Sequence, residues 1–489
     1  MRKIACFVLV LVIGNLAVLS AQSSKNAKKN DHELVFHVKD ARDTIMYLII
    51  QFQDKYVVKD SARPQGKGKY IFKGPGTYDD GLYMLVSQKH APYLNFIIDK
   101  NYHFEFSLDT SMDASKVTVL NSAPNSEMLL FQQRAAQANK EAKEYGDKLK
   151  SAQETKNQQE IDEYTEKLKK VNEGMLTFID ELIARNPGYL FSKMQKAYQE
   201  MKFPESFATL DSAKRAEAQR QFYYNHFWDN VALDDHRMFF LPVFNQKYDE
   251  YFKKVMFYQE SDTINKYVDL FLDRTIKDSL MYRYMIDKLT VEFGNSKFLG
   301  HDAVFVHILK NNQLAGKTPW IGEDWIKKQG KRVSRLEPLL IGKRAPELII
   351  PDTSGAWHSS HQLPYKYVIL WFFDPTCGTC RKEGEKLWLL YDSLTKAGTR
   401  NFEVYAIGNH QDRNKWIQYL KDHGYRWINV GGNTANIDYL DVYNIHETGN
   451  PAMFILDEKR EFILNKRIDI DKIVEFIEQH EKIKALKLK

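Results

Sequence analysis

The sequence predicts a multidomain protein with an N-terminal antiparallel β-sandwich, a central all-α region and a C-terminal α/β domain. Short apolar runs separated by turn residues fill residues 32–122, and a helical pattern begins at Asn125. After residue 338, strand-like runs alternate with helical ones. A chain of 489 residues is also too long for one hydrophobic core. We therefore expect several domains.

The composition favours packed domains. Hydrophobic residues make up 43% of the chain and aromatic residues 13%, which excludes wholesale disorder. The net charge of +6 falls to +4 without Arg2 and Lys3, and no basic stripe with interleaved aromatics appears. We expect no nucleic-acid partner. The sequence contains no metal, nucleotide or flavin motif, so we also expect no cofactor.

Residues 1–21 have the pattern of a secretory signal peptide. Basic residues precede the apolar run 4–19, and the small pair Ser20-Ala21 predicts cleavage after Ala21. No later segment approaches the length of a membrane-spanning helix, so only a retained leader would anchor the chain. Cys6 precedes the apolar core and is badly placed for lipid attachment. We expect an exported protein.

Residues 32–122 predict a small antiparallel β-sandwich. Turn residues such as Gly74-Pro75-Gly76 separate the apolar runs, and alternation is clear across residues 102–108. The expected strands cover residues 34–38, 44–52, 69–72, 82–86, 93–98, 103–108 and 117–120. No chemical motif occurs among them.

Residues 125–315 predict an all-α domain that opens with a helical hairpin. Asn125 and Ser126 are interpreted as helix caps, and the pattern breaks at residues 154–158 before it resumes to residue 186. Apolar residues of the second arm alternate spacings of three and four, as in a coiled coil. We expect antiparallel packing on the first arm, with a homodimer through residues 125–186 as the alternative. Residues 316–338 are interpreted as a linker.

Cys377 and Cys380 lie at a predicted junction between a strand and a helix. Residues 366–373 form an apolar run typical of a strand buried on both faces, and helical spacing follows the cysteines. A helix N-terminus stabilises a thiolate. We therefore predict Cys377 as the nucleophile and Cys380 as the resolving thiol one turn inside the helix.

Other interpretations of the two cysteines stay open. A zinc site needs four ligands, and the only other cysteine is Cys6 in the leader. A Cys₂His₂ site would have to use His358, His361 or His410, which we consider the less favoured interpretation. A purely structural disulfide would constrain little because the loop is so short. Two inert core cysteines fit the strand-to-helix junction poorly.

The segments around the cysteines resemble the thioredoxin superfamily, and in particular the exported TlpA/ResA-like thiol–disulfide oxidoreductases. The resemblance rests on the strand 368–373, on the motif Cys-Gly-Thr-Cys at 377–380 with Arg-Lys-Glu at 381–383, and on Gly-Asn-Pro before the apolar strand 451–456. It spans about residues 335–489, with the domain proper at 339–489. Residues 32–315 resemble the uncharacterised extension of many thioredoxin-like proteins of the Gram-negative envelope, which implies a periplasmic location.

The resemblance also implies roles for single residues. Cys377 and Cys380 would form the redox disulfide, Pro451 would be a cis proline facing it, and Asn450 would bind an extended substrate peptide. Glu383 matches the acidic residue that modulates thiol ionisation in the family.

The motif also departs from the family at three positions. Thr376 replaces the aromatic residue that commonly precedes the first cysteine, and we include it among the residues that contact substrate. Thr379 replaces the proline between the cysteines, so we expect a couple less reducing than thioredoxin's. Gly384 replaces a proline that often kinks the helix.

The resulting prediction is a periplasmic thiol–disulfide oxidoreductase that reduces protein disulfides and is recharged by a membrane electron donor. The alternative is a non-enzymatic binding or scaffold protein with a thioredoxin-like domain. A peroxidase of the related peroxiredoxin group is disfavoured, because Pro375 lies only two residues before Cys377.

Overall fold

A computed structural model of the chain describes residues 31–487, except 54, 90, 112, 410–411 and 432–434. The predicted signal peptide with Cys6 and its cleavage after Ala21 lie outside the described residues, as does His410. The described chain forms two compact units, one of residues 31–199 with 237–245 and one of residues 200–236 with 246–487. Among the residues described, every helix is too short or too polar to cross a lipid bilayer.

The first unit begins with two four-stranded sheets, which confirms the predicted β-sandwich. The strands are β1 Asp31–Lys39, β2 Met46–Phe52, β3 Lys55–Ala62, β4 Lys69–Pro75, β5 Gly81–Ser87, β6 Pro92–Ile98, β7 His103–Asp109 and β8 Thr118–Leu120. The orders are β4-β1-β7-β8 and β3-β2-β5-β6. The pairing is antiparallel except between β1 and β7, which run parallel.

The two sheets share one apolar core. Phe36 of β1 has its ring 5.3 Å from that of Phe96 of β6 in the other sheet. Strand β3 was not among the expected strands, because it is an edge strand whose polar and exposed side chains give no apolar alternation. Tyr56 of β3, for example, is 55% exposed.

A helical hairpin follows the sandwich in the same unit, as expected. It consists of α1 Ala123–Glu154 and α2 Gln158–Arg185, followed by α3 Leu190–Tyr198. The rings of Tyr145 and Tyr164 stack at 6.4 Å, so the arms pack antiparallel. The predicted capping role of Asn125 is wrong, because the cap is Ser122. The Asn125 side chain instead bonds the backbone N–H and carbonyl of Ile97, each at 2.7 Å.

The remaining helices extend to residue 336. They are α4 Ser212–His226, α5 Pro242–Tyr248, α6 Ser261–Thr275, α7 Ser279–Gly294, α8 His301–Ile308 and α9 Glu323–Leu336. Helix α9 lies inside the segment interpreted as a linker. The helix is hard to recognise in the sequence because lysines and Gly330 interrupt its narrow apolar stripe, in which Val333 is buried.

The C-terminal part is an α/β domain, as predicted. Its strands are β9 Ile349–Pro351, β10 Trp357–Ser359, β11 Tyr367–Phe373, β12 Phe402–Gly408, β13 Ile428–Gly431, β14 Ala452–Leu456 and β15 Phe462–Leu464. Its helices are α10 Gly378–Lys396, α11 Arg413–His423, α12 Tyr439–Val442, α13 Ile445–Thr448 and α14 Ile473–Lys487. Strands β9 and β10 form an antiparallel hairpin ahead of the main sheet.

The main sheet has the order β13-β12-β11-β14-β15, with β11 at its centre. All seven residues of β11 are buried, as predicted for a strand covered on both faces. Ile369 and Trp371 pack in the core with Leu387 of α10 and Ile473 of α14. Leu370 and Phe372 face the opposite core, which includes Tyr443.

Strand directions determine which chain ends meet at one edge of this sheet. β11 and β12 run parallel, so both end there, and the last pair is Phe373 with Gly408. β14 runs antiparallel to β11 and pairs Ala452 with Phe372, so it begins at the same edge. Three segments therefore lie together at this edge. They are the segments that follow Phe373 and Gly408 and the segment that precedes Ala452.

Candidate functional site

The two cysteines lie where β11 passes into α10. Cys377 is the N-cap residue of α10, and its Sγ accepts a hydrogen bond from the Cys380 backbone N–H at 3.2 Å. The Cys377 thiol also donates to the carbonyl oxygen of Asn450 at 3.8 Å. Both cysteines are free thiols, with Cys377 half-buried and Cys380 buried. A sulfur at a helix N-terminus lies where the free N–H groups favour negative charge.

Cys380 differs from Cys377 in its environment. It belongs to the apolar core formed with Trp371, Leu387 and Met453. Burial raises the pKa of the Cys380 thiol to about 12, and its hydrogen bond with Cys377 acts in the same direction. Cys380 is therefore a neutral thiol at physiological pH, whereas Cys377 is the accessible sulfur of the pair.

Asn450 and Pro451 directly precede β14. The Asn450–Pro451 peptide bond is cis. Pro451 is buried, whereas Asn450 is half-buried and its carbonyl oxygen accepts the Cys377 thiol. The structure thus brings Asn450 and Cys377 together, although 73 residues separate them in the chain.

Asn409 is a residue of this edge that the sequence analysis did not identify. Its Nδ2 donates to Oδ1 of Asn450 at 2.8 Å, and Nδ2 of Asn450 donates back to Oδ1 of Asn409 at 3.2 Å. The backbone N–H of Asn409 donates to the carbonyl of Phe373 at 3.0 Å. The available signal was its position directly after the parallel strand next to β11, since ligand-contacting residues gather at that edge.

Glu383 lies one turn beyond Cys380 on α10, and its side chain is 16% exposed. Its carboxylate is 3.9 Å from the Lys386 ammonium and 3.7 Å from the Arg467 guanidinium. Residues three apart on a helix are neighbours, with Cβ atoms about 5–6 Å apart. Glu383 is therefore near Cys380, between two cations.

Thr376 is exposed, and its side chain is held locally. Its hydroxyl and its backbone N–H both donate to Oδ1 of Asp374, each at 2.7 Å. The backbone N–H of Cys377 donates to the Asp374 carbonyl at 3.1 Å. The loop before the cysteines is thus a closed turn held by Asp374, and the role of Thr376 in substrate contact stays a prediction.

Potential metal ligands come together elsewhere. In the part of the chain that the structure describes, one group of this kind was found, formed by Asp235, His236 and Asp278, and it excludes both cysteines. Asp278 already accepts hydrogen bonds from Nδ1 of His236 at 2.8 Å and from backbone N–H groups at the start of α7. This group is a helix cap to which the histidine adds a hydrogen bond.

The histidines of the zinc interpretation have other surroundings. Nε2 of His358 lies 2.9 Å from Oδ2 of Asp352 in the β9–β10 hairpin. Burial lowers the pKa of His361. Neither histidine joins a cysteine in a group of three potential ligands among the residues described.

Comparison with known proteins identifies the domain that carries this site. Residues 365–462 match the family described as thioredoxin-like. A domain of a possible thiol-disulfide isomerase from Cytophaga hutchinsonii is 32% identical, with 31% of this chain and 99% of that chain covered and a TM-score of 0.28. A thioredoxin-like protein from Bacteroides caccae is 19% identical, with 58% and 98% covered and a TM-score of 0.44. No curated protein matched the sequence.

Proposed function

Residues 365–462 belong to the thioredoxin-like family, and we propose that the protein is an exported thiol–disulfide oxidoreductase that reduces protein disulfides through Cys377 and Cys380. One observation carries this proposal. An accessible sulfur caps a helix and accepts a hydrogen bond from a backbone N–H, while its partner three residues on is a buried, neutral thiol. This asymmetry is what an attacking and a resolving cysteine require.

The first step is attack by Cys377. As a thiolate it forms a bond to one sulfur of the substrate disulfide, that disulfide breaks, and the other substrate sulfur leaves as a thiolate and takes a proton. The helix N-terminus and the Cys380 backbone N–H stabilise the Cys377 thiolate. Asn450 lies against the sulfur, and there the N–H and carbonyl groups of an extended substrate strand can pair with its backbone, with Pro451 following it in the chain.

The second step is resolution by Cys380. The thiol loses its proton and attacks Sγ of Cys377, so that the Cys377–Cys380 disulfide forms and the second substrate sulfur leaves. In total, two electrons and two protons pass to the substrate. Because burial raises the pKa of Cys380, this step needs a proton acceptor. Glu383, one turn further on α10, is the acceptor that we propose.

The oxidised protein must then be reduced again. In an oxidising compartment such as the periplasm the protein needs a continuing electron source, and we propose a membrane electron donor that delivers electrons from inside the cell. Export itself rests on the leader at residues 1–21.

The reduction potential of the pair tests the proposal. Purified mature protein is equilibrated with glutathione buffers, and its thiols are counted by alkylation. We expect a value near or below about −220 mV, in the range between glutaredoxins and thioredoxin. A value of about −120 to −180 mV would instead indicate an oxidase or isomerase.

Two variants give the matched control. Cys380→Ser should accumulate a mixed disulfide with an oxidised model protein, because Cys377 still attacks but is not resolved. Cys377→Ser should form none. If wild-type protein never exchanges its thiols with a disulfide, the oxidoreductase proposal fails and the protein is a scaffold. The same conclusion holds if Cys377→Ser supports the protein's function in the cell as well as wild type does.

A further inference from the structure

Asn409 and Asn450 form a reciprocal amide pair beside the nucleophilic sulfur. Each side chain donates once and accepts once, at 2.8 and 3.2 Å. The pair joins the segment after β12 to the residue before β14, which are 41 residues apart in sequence. Two parallel hydrogen bonds between planar groups fix the orientation of both, as a single bond does not.

Asn409 is itself held by the sheet. Its backbone N–H donates to the Phe373 carbonyl at 3.0 Å and so extends the β11–β12 ladder by one bond. Gly408, directly before it, is buried in the strand and lies close to the Trp416 ring. Asn409 is therefore attached to a rigid element, whereas Asn450 follows Gly449, whose φ is +71°.

The backbone of Asn450 is what faces the sulfur. Its carbonyl oxygen is 3.8 Å from Sγ of Cys377, and this peptide group lies where a substrate strand would pair. The two bonds to Asn409 hold the Asn450 side chain and, through it, the Cα atom from which this peptide group extends, so a shift of this segment away from the sulfur would break them. The amide pair thus keeps the peptide group of Asn450 oriented before substrate arrives.

We propose that Asn409 is a positioning residue, which fixes the peptide group of Asn450 for binding of an extended substrate backbone next to Cys377. This inference rests on the proposed function and deepens it. The substrate is the one that the proposed function already names, a disulfide on an extended polypeptide, whose backbone N–H and C=O groups can pair with Asn450. A small disulfide without a backbone gains nothing from this orientation.

The test compares two disulfides in single-turnover reactions of pre-reduced full-length protein. One is a peptide with an exposed disulfide, and the other is a small aromatic disulfide without a peptide bond. Asn409→Leu keeps the number and branching of the side-chain heavy atoms and removes both amide bonds. We expect the ratio of the rate constants, peptide over small disulfide, to fall about tenfold, which corresponds to the loss of one to two hydrogen bonds.

The concentration dependence separates positioning from a general structural effect. The apparent dissociation constant of the peptide should rise, whereas the limiting rate at saturation should change much less. Asn409→Asp, which keeps the acceptor for Nδ2 of Asn450, should recover part of the ratio. In the double variant Asn409→Leu with Asn450→Leu, the rate ratio should fall no further than in the more strongly affected single variant, because the two side chains act as one unit.

Asn436→Ala is the matched control. Asn436 also makes two side-chain bonds to backbone in this domain, from the Ile349 N–H at 2.9 Å and to the Glu347 carbonyl at 2.9 Å, away from the cysteines. Its rate ratio should equal that of wild type. An equal loss with both disulfides in Asn409→Leu, or no loss with either, would overturn the inference. If wild-type protein reduces neither disulfide, the proposed function fails instead.

Discussion

The β-sandwich and the thioredoxin-like domain differ in where their chain ends come together. In the sandwich, polar side chains attach loops to neighbouring strands, as where Tyr93 of β6 donates to Asp43 of the β1–β2 loop at 2.8 Å. In the thioredoxin-like domain, two parallel strands end where an antiparallel one begins, so Cys377, Asn409 and Asn450 meet there. The difference teaches that strand direction, rather than polar composition, determines where chemistry is assembled in this chain.

Removal of a buried charge from the sandwich unit tests the first half of this comparison. Nη1 of Arg237 lies 2.6 Å from Oδ1 of Asp99 and 3.5 Å from Oδ2 of Asp80, and all three side chains are at most 10% exposed. Arg237→Ala leaves two buried carboxylates without this partner. We expect the free energy of unfolding of this unit to fall by about 3–5 kcal/mol, measured by urea denaturation.

A matched control comes from an exposed ion pair of the same unit. Lys148 and Glu144 are one turn apart on α1 and solvent-exposed, so Lys148→Ala should leave the transition unchanged. If Arg237→Ala behaved like this control, the charges at the sandwich loops would not be structural. The contrast with the thioredoxin-like domain would then be lost.

The two cysteines of the other domain should differ in reactivity. Burial raises the pKa of Cys380 to about 12, so the reactive thiolate is scarce at pH 8. We expect iodoacetamide to label Cys377 much faster than Cys380 in reduced protein, because Cys377 is accessible and Cys380 is buried, and mass spectrometry of the two positions measures the difference. Labelling of Cys380 in Cys377→Ser should still be rising at pH 10, where an ordinary thiol with a pKa of about 8.5 has already reached its plateau.

The same shift gives a pH dependence of stability. Folded Cys380 keeps a proton that the unfolded chain releases near its ordinary pKa, so its contribution is complete below about pH 8.5 and is lost as the pH rises toward 12. The free energy of unfolding of reduced wild type and of Cys380→Ser, compared at pH 8 and pH 10, measures this contribution of Cys380. A wild-type advantage that grows with pH would contradict the assignment of Cys380 as the buried thiol.

The sequence predicted the parts of the fold and of the site that depend on local pattern. The apolar run before Cys377 predicted β11, and the spacing of Cys377 and Cys380 predicted a sulfur at a helix start, because both depend on neighbouring residues. The pair of Asn409 with Asn450 depends on which strands become neighbours, and no local pattern contains that information.

The errors have physical causes of the same kind. Asn125 has the residue type of a cap, yet it lies one turn inside α1 and bonds the backbone of β6 instead. Nearly every side chain of strand β3 is solvent-exposed, so burial imposes no alternation on its sequence. In both cases a tertiary contact, or its absence, overrode the local signal.

The smallest effect concerns two glycines of the thioredoxin-like domain. Substitution by alanine should lower the free energy of unfolding at one of them and raise it at the other. A methyl group at Gly408 would lie 2.3 Å from the Trp416 ring, so Gly408→Ala should cost about 1–3 kcal/mol through overpacking. At Gly384, inside α10, the methyl group would lie 3.5 Å from the hydroxyl of Tyr419 and 3.6 Å from that of Tyr425, which is ordinary contact.

Gly384→Ala should therefore stabilise the domain by about 0.5–1 kcal/mol, because alanine loses less backbone freedom than glycine when a helix forms. Urea denaturation of both variants beside wild type measures the two signs in one experiment. Gly384 lies one turn after Cys380, so a loss of stability there would mean that the helix needs glycine at this position to accommodate a bend. A gain would mean that α10 is an ordinary helix, and that the special geometry of the site lies in the loops at the edge of the sheet.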